Sequence, residues 1–233
     1  MTRLRDMPAS RKRPRDIPRA GLFLVFLIIS TLSWGLVQVF RAQDLSDLVV
    51  VQDPSSSAAP VRDLKAVFSQ SISGSYPLRL TEAEINGYFA RTLVAEQKGW
   101  LAGLVTLEKV LVRLEKERAE LIMVRRAAGL TLTSSIFLKL EQTESSDGAL
   151  VTHVDIDGGP MPVLPFVRQG GRFGRLLLPQ GFMLFVRPSY IALAEAFPEE
   201  IRLGIEEMAR IKIEDGVLEL DPSFDSGMGN GGF

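Results

Sequence analysis

The chain has 233 residues, of which 46% are hydrophobic and 24% are charged. This length and hydrophobic content are enough to form one globular core. Its formal net charge is −1, but residues 1–19 alone carry seven basic and two acidic residues. The other 20 basic and 26 acidic residues give the rest of the chain a net charge of −6, which argues against nucleic acid as a partner. The absence of cysteine excludes disulfides and thiolate metal sites.

The first element is an uncharged run of 20 residues, GLFLVFLIISTLSWGLVQVF at 21–40. At about 1.5 Å per residue, a helix of this length crosses a hydrocarbon core of about 30 Å. A cleaved signal peptide has a shorter apolar region, and Phe40-Arg41-Ala42 places a large residue where the cleavage site needs a small one. The run therefore predicts a single-pass anchor in the inner (cytoplasmic) membrane.

The basic tail at 1–20 predicts the orientation of this anchor, because Lys and Arg are retained on the cytoplasmic side of a membrane. The N-terminus is then cytoplasmic, and the rest of the chain is periplasmic or otherwise extracytoplasmic. Residues 41–60 include the run DPSSSAAP, which is typical of a flexible linker. An exported domain is predicted at 61–222 and a disordered tail at 223–233.

The clearest local signal in the exported domain is a helix start. Thr81 and Glu84 have the spacing of a capping box, and apolar residues then recur at helical intervals, which predicts a helix at 82–97. Alternating apolar and polar residues from Leu130 predict a half-buried strand. Its polar face is expected to lie in solvent.

Two apolar runs at 105–114 and 119–126 flank a charged turn and predict a hairpin, with a β-bulge where the alternation slips after Leu107. Apolar residues on both faces at 121–124 fit either a lipid groove or a strand covered by a helix. A turn at Asp147-Gly148 precedes a further strand.

The chain closes with a second hairpin, in which Asp215-Gly216 joins IKIE to VLEL as a two-residue turn. This register places Ile213 opposite Leu218. The remaining segments are rich in Pro and Gly at 160–185 and helical at 188–197 and 199–209. The exported part is therefore predicted to be an α+β domain with an antiparallel sheet packed on helices.

His153, Asp155 and Asp157 lie at strand spacing on one face, so their side chains project together and form a candidate metal or catalytic trio. The opposite interpretation is that they are the solvent side of a half-buried strand, and this interpretation is favoured. No G-x-S-x-G motif or other nucleophile context accompanies the single histidine. We therefore expect no enzymatic activity, no metal and no cofactor.

Arg168, Arg172 and Arg175 fall in PFVRQGGRFGRLLLP, a basic and apolar stretch in an acidic domain. Such a stretch fits lipid head groups at a membrane surface, and the three arginines are the candidate head-group ligands. An ordinary solvated loop next to a buried Leu run is the alternative, and it is the more common explanation of such a stretch.

The order of parts resembles the YpmS-like family of bacterial envelope proteins, which is similar to the tubular lipid-binding (TULIP) superfamily. The resemblance rests on the anchor at 21–40, L-T-x-x-x-I-N at Leu80–Asn86, GPMPVLP at Gly159–Pro165, and the closing IKIEDGVLEL. It implies a curved sheet wrapped on a helix, with an apolar groove for lipid. The Arg- and Gly-rich segment 168–175 departs from the family pattern.

These observations lead to a membrane-anchored, non-enzymatic envelope protein that binds lipid or another apolar envelope component. The alternative is a structural or adaptor subunit of an envelope protein complex, in which the partner is a protein. An enzyme that uses His153 is the least favoured hypothesis.

Overall fold

A computed structural model describes residues 19–48, 62–93, 105–144 and 150–223. The chain divides into two units, residues 1–37 and 38–233. Helix α1 (Arg19–Phe40) begins in the first unit. It is long and apolar enough to cross a membrane. Its large apolar side chains are exposed, unlike those of a core helix in a soluble protein, although a signal sequence would look the same. The second unit contains all nine strands of the described residues.

A three-stranded antiparallel sheet of order β1-β9-β8 forms one part of the second unit. Helix α2 (Leu64–Gly74) precedes β1 (Leu78–Thr81), which runs directly into α3 (Glu82–Thr92). The predicted capping box at Thr81 and Glu84 is present, with both reciprocal hydrogen bonds. Helix α3 is shorter than the predicted 82–97, and residues 94–104 lie outside the described part of the chain.

A six-stranded antiparallel sheet forms the other part. Its long meander is β2 (Val105–Glu115), β3 (Arg118–Ala127) and β4 (Leu130–Glu144). The far edge of β4 is shared by β5 (Leu150–Ile156) and by β6 (Gln169–Phe173), which pairs with β7 (Leu176–Pro179). Strands β6 and β7 lie inside the stretch that was predicted only as rich in Pro and Gly.

The last part of the chain carries short helices and the closing hairpin. A 3₁₀ helix (Gln180–Phe185), α4 (Arg187–Ala194), α5 (Pro198–Ile201) and a π-helical turn (Arg202–Glu206) lead into β8 (Arg210–Glu214) and β9 (Val217–Asp221). Both predicted hairpins are confirmed. The register shifts between Leu107 and Lys109, and Ile213 pairs with Leu218.

One face of the six-stranded sheet supplies the main core. Its apolar side chains contribute to two adjoining clusters. One is centred on Phe68 of α2 and on Leu80 and Leu220 of the three-stranded sheet, and the other on Met123, Ile136 and Met183. The opposite face was expected to lie in solvent along β4, and this expectation is wrong at Thr133 and Ser135, which are buried. The chain segment that covers them is described below.

Asn86 on α3 closes one edge of β2. Its side-chain amide donates to the carbonyl oxygen of Val112 at 2.9 Å and accepts from the N–H of Val112 at 2.6 Å, so it replaces a neighbouring strand. Glu82 accepts from the N–H of Leu114 at 2.8 Å. Helix α3 is therefore held to the sheet by polar groups that satisfy backbone atoms.

Replacing Asn86 with Leu tests this attachment. The variant leaves two backbone groups of Val112 without partners, so we expect the free energy of unfolding to fall by about 2 kcal/mol or more. Urea unfolding of a chain that begins at Gln38 measures the change. Ala90→Leu adds the same side chain to the exposed face of the same helix and serves as the control. Equal stabilities of the two variants would contradict the role of Asn86.

Candidate functional site

Two loops flank the same end of the β6–β7 hairpin, and we call them the apolar loops: Pro160–Arg168 before β6 and Gln180–Phe185 after β7. They meet at their bases, where the N–H of Gln180 donates to the carbonyl oxygen of Arg168 at 2.9 Å. The first loop closes on itself through the Pro160–Arg168 bridge. The hairpin therefore presents both loops side by side.

The apolar loops carry large hydrophobic side chains in water. Val163 is 85% exposed, Phe166 81%, Phe185 82% and Leu184 70%. Met183, between the exposed residues of the second loop, is fully buried and fixes that loop to the core. The exposure is thus a property of folded loops, and it marks the kind of surface that binds another apolar surface.

The same region is free of acidic residues. Residues 158–194 contain four arginines and no Asp or Glu, although the part of the chain after residue 19 has a net charge of −6. Arg187, two residues after Phe185, is exposed and forms no ion pair with the residues that the structure describes. The segment that carries the apolar loops therefore contains no acidic residue of its own, although Asp157, just before it, pairs with Arg168.

The structure does not bring the three predicted arginines together. Arg168 donates to Asp157 at 2.9 Å and lines a surface cleft of about 470 Å³. Arg172 and Arg175 line a different cleft of about 530 Å³. The hydrogen bonds that Arg168 donates to Asp157 raise the pKa of Arg168, so this guanidinium is already engaged.

The second of these clefts lies beside residues 41–48, which we call the clasp. The N–H of Gln43 donates to the hydroxyl oxygen of Thr133 at 3.0 Å, and Leu48 is buried. Predicted as part of a flexible linker, the clasp instead packs on the sheet because it brings apolar side chains to it. The packed set is Leu45, Leu48, Leu111 and Ile122.

This packing also bears on the apolar residues at 121–124, which fitted either a lipid groove or a covered strand. Ile122 lies under the clasp, whereas Leu121 and Met123 pack in the main core on the other face. The clasp, rather than a helix, covers Ile122. These side chains are therefore accounted for by packing within the protein.

Under the clasp lies a buried carboxylate, Glu120, whose side chain is 1% exposed. Gln43 donates to it at 2.8 Å, Ser135 at 2.5 Å and Arg113 at 2.9 Å, and Arg172 lies 3.4 Å away. The charge is therefore compensated by two guanidinium groups and two neutral donors, as a buried charge requires.

Arg113 links this carboxylate to the clasp a second time. It forms two hydrogen bonds to Asp47, at 2.9 and 2.8 Å, and one to the carbonyl oxygen of Asp44 at 3.1 Å. Burial alone would lower the pKa of Arg113, but the hydrogen bonds and charges of Asp47 and Glu120 raise it. Arg113 stays charged and holds the clasp electrostatically.

Arg172 has a similar structural role. Its guanidinium lies over the ring of the fully buried Phe137, 5.2 Å from the centroid, and Arg118 lies over the same ring at 5.1 Å. Of the three predicted head-group ligands, Arg175 is the one that is exposed and without an ion pair in the described chain, and its Nε is 3.5 Å from the carbonyl oxygen of Ala42.

The turn of the β6–β7 hairpin touches the start of the second unit. Gly174 has φ +53°, and the N–H of Arg175 donates to the carbonyl oxygen of Gln38 at 3.0 Å. A Cβ at Gly174 would collide with the carbonyl oxygens of Gln38, Val39 and Arg41. Glycine is therefore required both by the backbone conformation and by the close approach.

The candidate metal trio is not assembled. Nε2 of His153 lies 3.1 Å from the hydroxyl of Thr143, Asp155 is exposed, and Asp157 binds Arg168. Within the described ranges, no group of three or more His, Cys, Asp or Glu side chains is placed to hold a metal ion.

Sequence reasoning missed Glu120 and the exposed phenylalanines. Glu120 looked like a strand residue in a charged hairpin, and nothing local indicates its burial. Phe166, Phe182 and Phe185 carried a usable signal, because they fall in the longest acid-free segment after α1. No family model, curated protein or solved structure matches the chain. The resemblance to the YpmS-like family thus remains a hypothesis.

Glu120→Gln tests the buried network. The amide keeps the shape of the side chain but removes the charge that compensates Arg113 and Arg172, so we expect a loss of about 3 kcal/mol in the free energy of unfolding. Glu141→Gln is the control, since Glu141 pairs with Lys139 in solvent and should leave stability unchanged. A Glu120 variant as stable as the control would show that the network is dispensable.

Gly174→Ala tests the contact between the hairpin turn and residues 38–41. Gly129 has φ +80° and open space around it, so Gly129→Ala reports the backbone cost alone, about 1 kcal/mol. We expect Gly174→Ala to be more destabilising and to speed trypsin cleavage after Arg41. If both alanine variants behave alike in urea and in trypsin, the turn does not hold these residues.

Proposed function

We propose that this is a membrane-anchored, non-enzymatic protein whose extramembrane domain binds lipid through the apolar loops. Helix α1 is the anchor, and the second unit is the lipid-binding domain. The observation that carries the proposal is the exposure of Val163, Phe166, Leu184 and Phe185 on two adjacent folded loops. Burying one such side chain in an apolar phase is favourable by about 1.5–3 kcal/mol.

The basic residues near the apolar loops favour lipid as the ligand of this surface. Basic residues next to inserted aromatic and aliphatic side chains are typical of protein segments that lie in a membrane interface. The region between Gly158 and Ala194 has this composition, with four arginines and no acidic residue. Arg187, which forms no ion pair with the described residues, is exposed and lies two residues after Phe185, so it would add attraction to lipid phosphates.

Retention of the anchor is supported by the clasp. The second unit begins at Gln38, and residues 38–48 pack on the sheet, so a cleavage after the apolar run would cut through a folded part of the domain. The basic tail favours a cytoplasmic N-terminus and an extracytoplasmic domain in a bacterial envelope. The resemblance to envelope proteins points in the same direction.

In the adaptor hypothesis, the same loops bind a protein instead of lipid. An apolar protein surface would also bury Phe166 and Phe185, but it gives no reason for the missing acidic residues. The clefts that contain Arg168, Arg172 and Arg175 are lined mostly by polar and charged side chains. The proposal therefore places the lipid contact at the exposed apolar side chains of the loops and not at the side chains of these three arginines.

The double variant Phe166→Ser, Phe185→Ser tests the lipid-binding function. Loss of two inserted rings should weaken partition onto lipid vesicles at least about tenfold. The measurement is flotation of a chain that begins at Gln38 with vesicles of phosphatidylcholine and phosphatidylglycerol.

Leu130→Ser, Val154→Ser is the matched control, because both side chains are exposed hydrophobics outside the apolar loops. It should float like the parent chain. Equal flotation of the two double variants, or no flotation of the parent chain, would refute lipid binding by the loops and favour the adaptor.

A further inference from the structure

We infer that the outer edge of strand β5 pairs with the same edge of a second copy of this chain. The two strands run antiparallel about a two-fold axis at Thr152, so that the six-stranded sheets of the two copies join. This interaction uses a different part of the domain from the apolar loops and does not depend on lipid binding.

Strand β5 pairs with β4 on one side, and no described strand pairs with its other side. The N–H of Asp157 donates to the carbonyl oxygen of Phe137 at 3.0 Å, which fixes the phase of this ladder. In an antiparallel ladder, every second residue directs its backbone groups to the neighbouring strand and the others direct theirs outward. The outward residues of β5 are Leu150, Thr152, Val154 and Ile156.

The outer edge of β5 is closed at one end. The carbonyl oxygen of Ile156 accepts from Nε2 of Gln180 at 2.7 Å, and the N–H of Gly158 donates to the carbonyl oxygen of Gln169 at 2.8 Å. The backbone groups that point outward between residues 150 and 154 have no hydrogen-bond partner among the residues that the structure describes. We call this stretch, Leu150–Val154, the open edge.

The open edge is complementary to itself. Its outward residues are centred on Thr152, so an antiparallel copy places Thr152 opposite Thr152 and Leu150 opposite Val154. Each of these pairs forms about two backbone hydrogen bonds, and together they use every outward group of the open edge in both copies. A register shifted by one pair would include Ile156, whose carbonyl oxygen is already bonded to Gln180.

The side chains of the open edge also fit a second copy. In this register, Val151, which is 42% exposed, lies opposite His153 of the second copy. Val154, which is 47% exposed, lies opposite Leu150 of the second copy. The open edge carries no charge when histidine is neutral, and Asp155 lies outside it. Two acidic domains can therefore meet here without like charges on opposite strands, which would weaken the pairing.

The open edge lacks the features that normally prevent strand addition. Edge strands are usually protected by lysine, proline, a β-bulge or a covering segment. The sequence of the open edge is LVTHV, and its register with β4 is regular. The edge of β2, in contrast, is bonded to Asn86 and Glu82. Of these two edges, the one that accepts a further strand is therefore that of β5.

The absence of cysteine lets disulfides report the register in the full-length protein in detergent. Val151→Cys protein is mixed with His153→Cys protein and oxidised. In the proposed register these positions are a non-hydrogen-bonded pair with Cα atoms about 4.5 Å apart, within the range of a disulfide. The control mixture combines His153→Cys with Asp155→Cys, which is equally on the exposed side of β5 but about 13 Å from position 153 of the second copy.

We expect the first mixture to give at least about ten times more mixed disulfide than the control mixture. Adding Val154→Pro to both proteins of the first mixture should lower this yield at least about fivefold, because proline removes an outward N–H and leaves the pairing with β4 intact. Val154→Thr keeps the N–H and should leave the yield unchanged. Far-ultraviolet circular dichroism of both variants checks that the sheet is intact.

Three outcomes overturn the inference. Equal yields from the two mixtures mean random collision or a different register. An unchanged yield with Val154→Pro means that the contact does not use the backbone of the open edge. No mixed disulfide in either mixture means that the open edge binds another extended segment or stays in water. Each of these outcomes leaves the lipid-binding proposal untouched, since that proposal rests on the apolar loops.

Discussion

The buried charge of Glu120 is the constraint on which the arrangement of the second unit depends. A carboxylate on a central strand is stable in the folded state only if compensating groups converge on it. Here hydrogen-bond donors come from β2, β4 and the clasp, and Arg172 of β6 adds a second positive charge. These interactions tie the residues after α1 to the same sheet that carries the β6–β7 hairpin. The network thereby determines where the chain enters the domain, and the hairpin determines where the apolar loops are presented.

The elements that could be predicted from the sequence are the ones whose signals are local. The capping box at Thr81 and Glu84, the bulge after Leu107 and the Asp215-Gly216 turn each depend on residues within a few positions of one another. The alternation of apolar and polar residues is also a local pattern, and for that reason it predicted the strands of the meander. Strands β6 and β7 were missed because glycine, proline and arginine obscure their apolar pattern.

The candidate site depended on contacts that the sequence does not display. Gln43 and Glu120 are 77 positions apart, and Gln43 and Thr133 are 90 apart, so nothing near residue 43 distinguishes the clasp from a linker. The three arginines at 168, 172 and 175 looked alike in sequence, yet burial against Phe137 and pairing with Asp157 give them different roles. Exposure, which marks the apolar loops, is itself a tertiary property.

The edge of β2 has a further consequence for a domain without disulfides. An unpaired strand edge invites addition of a strand from another molecule, and a long hairpin such as β2–β3 would be a template for aggregates. From Val112 to Lys116, however, the outward N–H groups are already bonded to Asn86, Glu82 and Asp215. Side chains instead of a covering strand thus protect this part of the edge, so strand addition from another molecule is blocked between Val112 and Lys116.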